Sequence, residues 1–387
     1  MMIHKLQGKK VLIMAPIVAI VVALLLSLAM YPMAKGSIKE IPIAIVSLDN
    51  GVTTPNGPIN AGAIMVENIQ KITATTGVMS ITDFKSEVEA NDATNNGKYC
   101  ATLIIPSDFS VKQLSRMSPK PVAPEIKIII NQGHFGQSAT ISEQALTTMI
   151  AKASENMRPD ILKAFQTLGV NISAEQAAYY ATPLTSNVEY VNSVIAEDGT
   201  SMANAHAVGA LMTWIVSLVM SVILYMYYRK EKVSDPKESF KKITTQLSAG
   251  LVGASIAALT ITLIITKIFD FDVSFATTFM FLWLAISSII MLIVGVLRWT
   301  GIEGVALFVI IMFLSMFTAA LPYEMLPTFW QDWIYPWTPI RFIAGGLKDI
   351  FFISGDWFNS NSLTLLVMGI ISVGIAYLSL FNKEKTK

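Results

Sequence analysis

Six stretches of this chain are long enough and apolar enough to cross a lipid bilayer. No other feature limits its fold so strongly. A helix needs about 20 apolar residues to cross the hydrocarbon core. Runs of that kind occupy residues 11–31, 207–227, 247–266, 273–297, 304–321 and 363–380. Lipid offers no partner to a backbone N–H or C=O, so each run must satisfy its own backbone as a helix. Composition agrees, because 14% of the residues are charged against roughly 25% in soluble proteins. The expected fold class is a polytopic α-helical membrane protein with six transmembrane helices. The first run exceeds the roughly 7–15 apolar residues of a signal peptide and lacks a small-x-small cleavage site, so it reads as a retained span adjusted at Pro16.

Lys and Arg placement sets the orientation. Lys5, Lys9 and Lys10 precede the first run. Arg229, Lys230, Lys232, Lys237, Lys241 and Lys242 lie between the second and third, Arg298 follows the fourth, and Lys383, Lys385 and Lys387 follow the sixth. With six spans these all fall on one side, the cytoplasm. The connection carrying Asp270 and Asp272 with only Lys267 suits the outside. The expected arrangement in a plasma membrane is therefore multi-pass, with both termini cytoplasmic. It consists of a tail and first span (1–33), an external domain (34–206), and a five-helix membrane domain (207–387).

Residues 34–206 read as a mixed α/β domain between helices 1 and 2. "IPIAIVSL" (41–48), "YCATLIIP" (99–106) and "EIKIIIN" (125–131) are buried-type strands, with "VMSITDF" (78–84) a weaker one. The first strand runs into an Asp49-Asn50-Gly51 turn. Helical spacing marks 61–73 and 142–168. In the latter, Leu146, Met149, Ile150, Ala153 and Met157 form a stripe that serves either as core or as a ligand groove. Cys100, the single cysteine, sits in a strand pattern as a small buried hydrophobe.

Several function classes lose support. Net charge is +1, which provides no basic field for nucleic acid. His4, His134 and His206 lie far apart and have no metal-ligand spacing. No GxxxxGK[ST], GxSxG, HExxH or CxxC occurs, so no enzyme activity and no cofactor on this chain are expected. The apolar runs as bounded above hold no Asp, Glu, Lys, Arg or His. Uphill transport would then draw its energy from another polypeptide or from a sodium site built only of carbonyls and hydroxyls.

Three segments carry the candidate functional residues. The cytoplasmic loop 228–246 contains a helix start: Asp235 as cap, Pro236 at the first position, Glu238 three residues after the cap. Phe240, Ile243 and Leu247 share one face and leave Lys237, Lys241 and Lys242 for lipid headgroups or an acidic partner. This helix is either an element that couples to a partner or the cytoplasmic overhang of span three. The connection 322–361 holds four of the seven tryptophans and is broken by Pro327, Pro336 and Pro339. It reads as short re-entrant or interfacial helices, and Trp333, Pro336, Pro339, Arg341 and Lys348 are candidates for an outer gate or for an aromatic anchor. In span three, Ala249, Gly253 and Ala257 and, beside them, Gly250, Ala254 and Ala258 form small-residue ridges. They suit close packing within the chain or against another subunit.

The segments "IPIAIVSLDNG", "NNGKYCATLIIPSDFSVKQL", "IKIIINQG" and "TSNVEYVNSV", followed by "LPTFWQDWIYPWTPIRFIAGGLKDIFF", resemble in order the phage-infection-protein (YhgE/Pip-like) group of the ABC-2 type permease superfamily. The chain lacks the long coiled-coil-like insertion of many members, and Lys348 stands where similar proteins often have Arg. The resemblance implies a membrane permease subunit of an exporter. It would form a homo- or heterodimer and work with a separate cytoplasmic ABC ATPase that binds the ATP. The alternative it leaves is a non-transporting surface protein, a phage receptor or envelope scaffold, acting through its external domain. The ten residues before the first span are also shorter than the interfacial helix that many such permeases place there.

Overall fold

The computed structural model describes residues 20, 23, 24, 27, 28, 30–32, 39–55, 57–134, 136–168, 173–195, 199–229 and 235–381. The chain divides into an α/β unit, Ile38–Ala203, and a helical unit formed by Met1–Ser37 with Asn204–Lys387.

The α/β unit is built on a five-stranded sheet. Strand β1 (Ile41–Ser47) ends in the expected turn, where Asp49 Oδ1 accepts from the Gly51 amide at 3.3 Å and Gly51 takes φ +68°. A small hairpin follows, β2 (Val52–Thr54) with β3 (Gly57–Ile59). Helix α1 (Ala61–Thr76) starts at Asn60, whose side chain accepts from Ala63 N, and stops at the left-handed Gly77. Then come β4 (Met79–Phe84), α2 (Glu87–Asn95), β5 (Ala101–Ile105) and α3 (Phe109–Leu114). The unit closes with β6 (Glu125–Asn131), α4 (Gly136–Leu168), α5 (Ala174–Ala181) and β7 (Thr185–Val191).

The strand order is β4-β1-β5-β6-β7, with β6 antiparallel to β5 and the other neighbours parallel. Parallel strands covered on both faces read as unbroken apolar runs, and every residue of β5 is buried. Ile43, Ile45, Leu103, Ile128 and Ile130 face Ile69 of α1 and Leu146 and Ile150 of α4. Ala44 and Val46 face Ala90 of α2 on the opposite side. All four predicted strands form, each within a residue or two of its expected ends. The edge strand β7 does not announce itself in the sequence, because most of its residues stay half in solvent and no apolar run marks it. Helix α4 begins six residues before the predicted start, at Gly136 rather than residue 142.

Cys100 is fully buried, as expected of a small hydrophobe. Its Sγ lies 3.3 Å from His134 Nδ1 and 3.6 Å from Ser138 Oγ, so one of the three dispersed histidines is drawn to the lone thiol by the β5–β6 pairing.

The helical unit contains α6 (Ala205–Tyr228), α7 (Pro236–Leu263, prolonged by a π-helical turn Ile264–Ile268), α8 (Phe275–Thr300), α9 (Val305–Ala320), α10 (Pro339–Phe352) and α11 (Ser360–Leu378). Five helices among the described residues are long and apolar enough to cross a membrane, and they fall on the second to sixth predicted runs. The predicted first span lies mostly outside the described residues. Those described within it are helical, and Tyr31 stacks on Trp330 at 6.1 Å.

Helix α8 is the axis of the bundle, 78% buried over its apolar window against 22–39% for the others. It is apolar all round, as a central helix must be. A Cβ on Gly295 would sit 2.8 Å from the Ser372 carbonyl oxygen, and one on Gly369 would sit 3.0 Å from Ser288 Oγ, so α8 and α11 meet almost backbone to backbone. The small-residue rows of α7 pack within the chain. Gly250 faces Ile290 and Leu224, Gly253 faces Met220, and Ala254 and Ala258 are fully buried, while Ala249 and Ala257 are half-buried.

Candidate functional site

Predicted coupling helix and third span are one continuous helix. Asp235 occupies the N-cap and Pro236 the first position, and the Asp235 carboxylate accepts from Lys237 N at 3.2 Å. The cap therefore reaches the second helical amide, and Glu238 acts as a first-turn acid favoured by the helix dipole instead of closing a capping box. From this start the helix runs 28 residues before its π turn. Its first three turns form an overhang preceding the apolar stretch, with Lys237, Glu238 and Lys241 exposed.

The overhang is anchored along one face. Ile243 and Leu247 are buried as the spacing predicts. Phe240, at the edge of that face, stacks on Tyr377 of α11 at 4.9 Å, and Thr244 Oγ1 lies 2.9 Å from the Tyr377 hydroxyl. One turn further on, Gln246 is buried and its Oε1 accepts from Arg298 Nη1 at 2.9 Å. Arg298 Nε donates to Ser379 Oγ at 2.8 Å, just past the end of α11. Trp299 Nε1 donates to the Ile375 carbonyl at 2.9 Å. Three helices are thus joined at one end through Arg298 and Tyr377.

Arg298 corrects one sequence expectation. The fourth run, bounded at residue 297, excluded ionisable groups, but the helix continues to Thr300 and carries Arg298 in its last turn. The guanidinium fork suits such a junction, since it can donate in two directions at once. Gln246, Tyr377 and Ser379 escaped the sequence reading because their partners lie 52, 133 and 81 residues away.

The proline-broken connection forms the second candidate region. A 3₁₀ turn (Tyr323–Met325), a π turn (Trp330–Ile334) and α10 follow one another, with Pro339 at the first position of α10. Fourteen residues rise about 21 Å, short of the roughly 30 Å hydrocarbon core. Helix α10 nevertheless buries Ile340, Ile343, Ala344 and Leu347, and Gly346 lets it close on Phe281 of α8. Of the five predicted gate residues, Pro336 and Arg341 are in direct contact. Trp333 and Pro336 are exposed and Pro339 is buried. The Arg341 guanidinium lies over the Tyr335 ring (4.4 Å) and the Phe342 ring (3.8 Å) and donates to the Pro336 carbonyl at 3.2 Å.

Lys348 stands two turns further along α10, where two acids missed by the sequence reading sense its charge. Burial raises the Asp349 carboxyl above its ordinary range, opposed by Lys348 and by Asn361, whose Nδ2 donates to Asp349 Oδ2 at 3.3 Å. Burial likewise raises Glu324, opposed by its own backbone amide and by Lys348. Among the described residues no group of three or more His, Cys, Asp or Glu is arranged to hold a metal ion.

A family model described as ABC-2 family transporter protein matches residues 9–381. No curated protein matches the chain. Among solved structures, the crystal structure of a domain assigned to an ABC type-2 transporter from Thermotoga maritima MSB8 is similar at 18% identity and a TM-score of 0.26. That match covers 38% of this chain and 84% of the other. The helical unit with five membrane-length helices and the family match over residues 9–381 agree, and the chain belongs to the ABC-2 transporter family of membrane proteins.

Proposed function

We propose that this chain is the membrane-spanning permease subunit of an exporter of the phage-infection-protein (YhgE/Pip-like) kind, energised by a separate cytoplasmic ATPase. The observation that carries the reading is the anchored overhang of α7. Its charged N-terminal end (Asp235, Pro236, Glu238, Lys241) is exposed, while Phe240 and Gln246 tie the same rigid helix to α11 and α8. A push on the first turn is delivered to three spans at once, because a helix transmits displacement along its axis. The family match supports a permease, and the resemblance of its segments to the phage-infection-protein group implies an ATPase subunit. In this reading the lysine-rich end of α7 is cytoplasmic, the α/β unit is external, the chain works as a dimer in the plasma membrane, and ATP is held on the partner. The proline-broken connection, with Trp333, Pro336 and Arg341 at its tip, covers the outer end of the path.

The test is reconstitution with the ATPase in vesicles. Pro236→Gly combined with Glu238→Ala should leave the protein folded and abolish ATP-driven transport. Transport at the parental rate by a correctly folded double variant would refute the coupling role.

A further inference from the structure

A cleft of about 790 Å³ opens in the α/β unit between α1 and α4, within the roughly 300–1,000 Å³ typical of ligand pockets. Its floor is apolar: Met65 and Ile69 from α1, Met149, Ala153 and Met157 from α4, and Phe109. This is the stripe whose sequence spacing fitted either core or groove, and the structure divides it. Leu146 and Ile150 are buried against the sheet, while Met149, Ala153 and Met157 are half-buried and line the cleft. Three methionines on one floor give a soft, adaptable surface for chains of varied shape. Ile64 and Ile72 stand 53% and 48% exposed at its mouth, an apolar lip that the fold leaves in solvent.

The rim is polar and unequal in charge. Lys71, Arg116 and Lys152 line it against a single carboxylate, Asp160. Lys71 is paired with Glu67 at 2.6 Å, whereas Arg116 and Lys152 form no ion pair among the described residues. An apolar trough bordered by unpaired cations is complementary to one class of molecule. We propose that the cleft binds an acyl amphiphile with an anionic headgroup, its chain along Met65, Met149 and Met157 and its headgroup at Arg116 and Lys152. The inference stands apart from the transport reading, since it requires neither ATP nor movement of a substrate.

The test uses the full chain in lipid nanodiscs with a diazirine analogue of palmitic acid, and adducts are mapped by mass spectrometry. Labelling of α6 by probe dissolved in the bilayer serves as the reference. Adducts on Met65, Met149 or Met157 should exceed those given by the matched diazirine alcohol and should fall with excess palmitate. Filling the floor with Met149→Trp, or reversing the rim with Arg116→Glu and Lys152→Glu, should each cut them about tenfold, the loss expected when a charge-assisted contact disappears. The rim variant touches no core residue and keeps the test sound if the floor variant misfolds. Adducts on α6 without adducts in the cleft would overturn the proposal, as would equal labelling by the alcohol or cleft labelling unchanged in the rim variant.

Discussion

Arg298 donates from Nη1 to Gln246 Oε1 at 2.9 Å, joining the end of α8 to a turn of α7 that lies just inside its charged overhang. The same guanidinium reaches the half-buried Ser379, so its removal strands the buried acceptor on Gln246 and frees a second on Ser379. Arg298→Ala and Gln246→Ala should each destabilise the helical unit by about 1–3 kcal/mol. The double variant should cost less than their sum, because the residues share one bond. A double-mutant cycle in reversible denaturant unfolding measures this directly. Strict additivity would mean that the junction contributes nothing.

The approach of α8 to α11 yields a paired prediction. Gly295→Ala places a methyl 2.8 Å from the Ser372 carbonyl oxygen, a backbone atom that cannot swing away, whereas Gly374→Ala meets nothing within 4 Å. The first should lower stability by about 1–3 kcal/mol through overpacking. The second should be neutral or slightly stabilising, since alanine favours the helix. Thermal unfolding of both variants in detergent decides the matter, and equal melting temperatures would contradict the packing described.

Asp49 supplies a pH dependence in the α/β unit. Burial pushes its carboxyl up, but hydrogen bonds from the Ser110 side chain and from the Ser110, Gly62 and Gly51 amides outweigh burial and hold it below its ordinary value of 3.8. A depressed folded value stabilises the fold above the unfolded value, and that contribution is lost as pH falls through the folded one. Asp49→Asn should therefore cost about 1.5–3 kcal/mol at pH 7 and remove part of the acid sensitivity below about pH 4. Hydrogen exchange across residues 47–66, compared at neutral and acidic pH, reads both effects.

Orientation is open to direct labelling. Cys100 is buried and does not compete for reagent. Trp333 is 67% exposed and Lys241 is also exposed. In intact cells an impermeant maleimide should label Trp333→Cys, and it should label Lys241→Cys only after permeabilisation. The reverse pattern would invert the topology and remove α7 from the cytoplasm.

The membrane helices were legible because a bilayer leaves so few solutions. Runs of about 20 apolar residues announce α6, α7, α8, α9 and α11 with ends accurate to a few residues, except where α7 extends backward into charged sequence. The strands β1, β5 and β6 were legible for a related reason, being buried on both faces. Edge strand β7 was not, because half-solvated residues need no apolar pattern. The junction at Arg298 was invisible for a different reason. Its partners are distant in sequence, and a single Arg after an apolar run carries the same signal whether it marks topology or holds three helices together. The Cys100–His134 contact was hidden in the same way, since only strand pairing brings the two together.

We propose that α7 receives force from a separate ATPase. The most direct test is to purify the tagged chain from its native membrane in mild detergent and quantify what accompanies it. A nucleotide-binding subunit should be present in stoichiometric amount and should be lost when Asp235, Glu238 and Lys241 are replaced together. A preparation free of any ATPase, even after cross-linking in the membrane before extraction, would contradict the proposal.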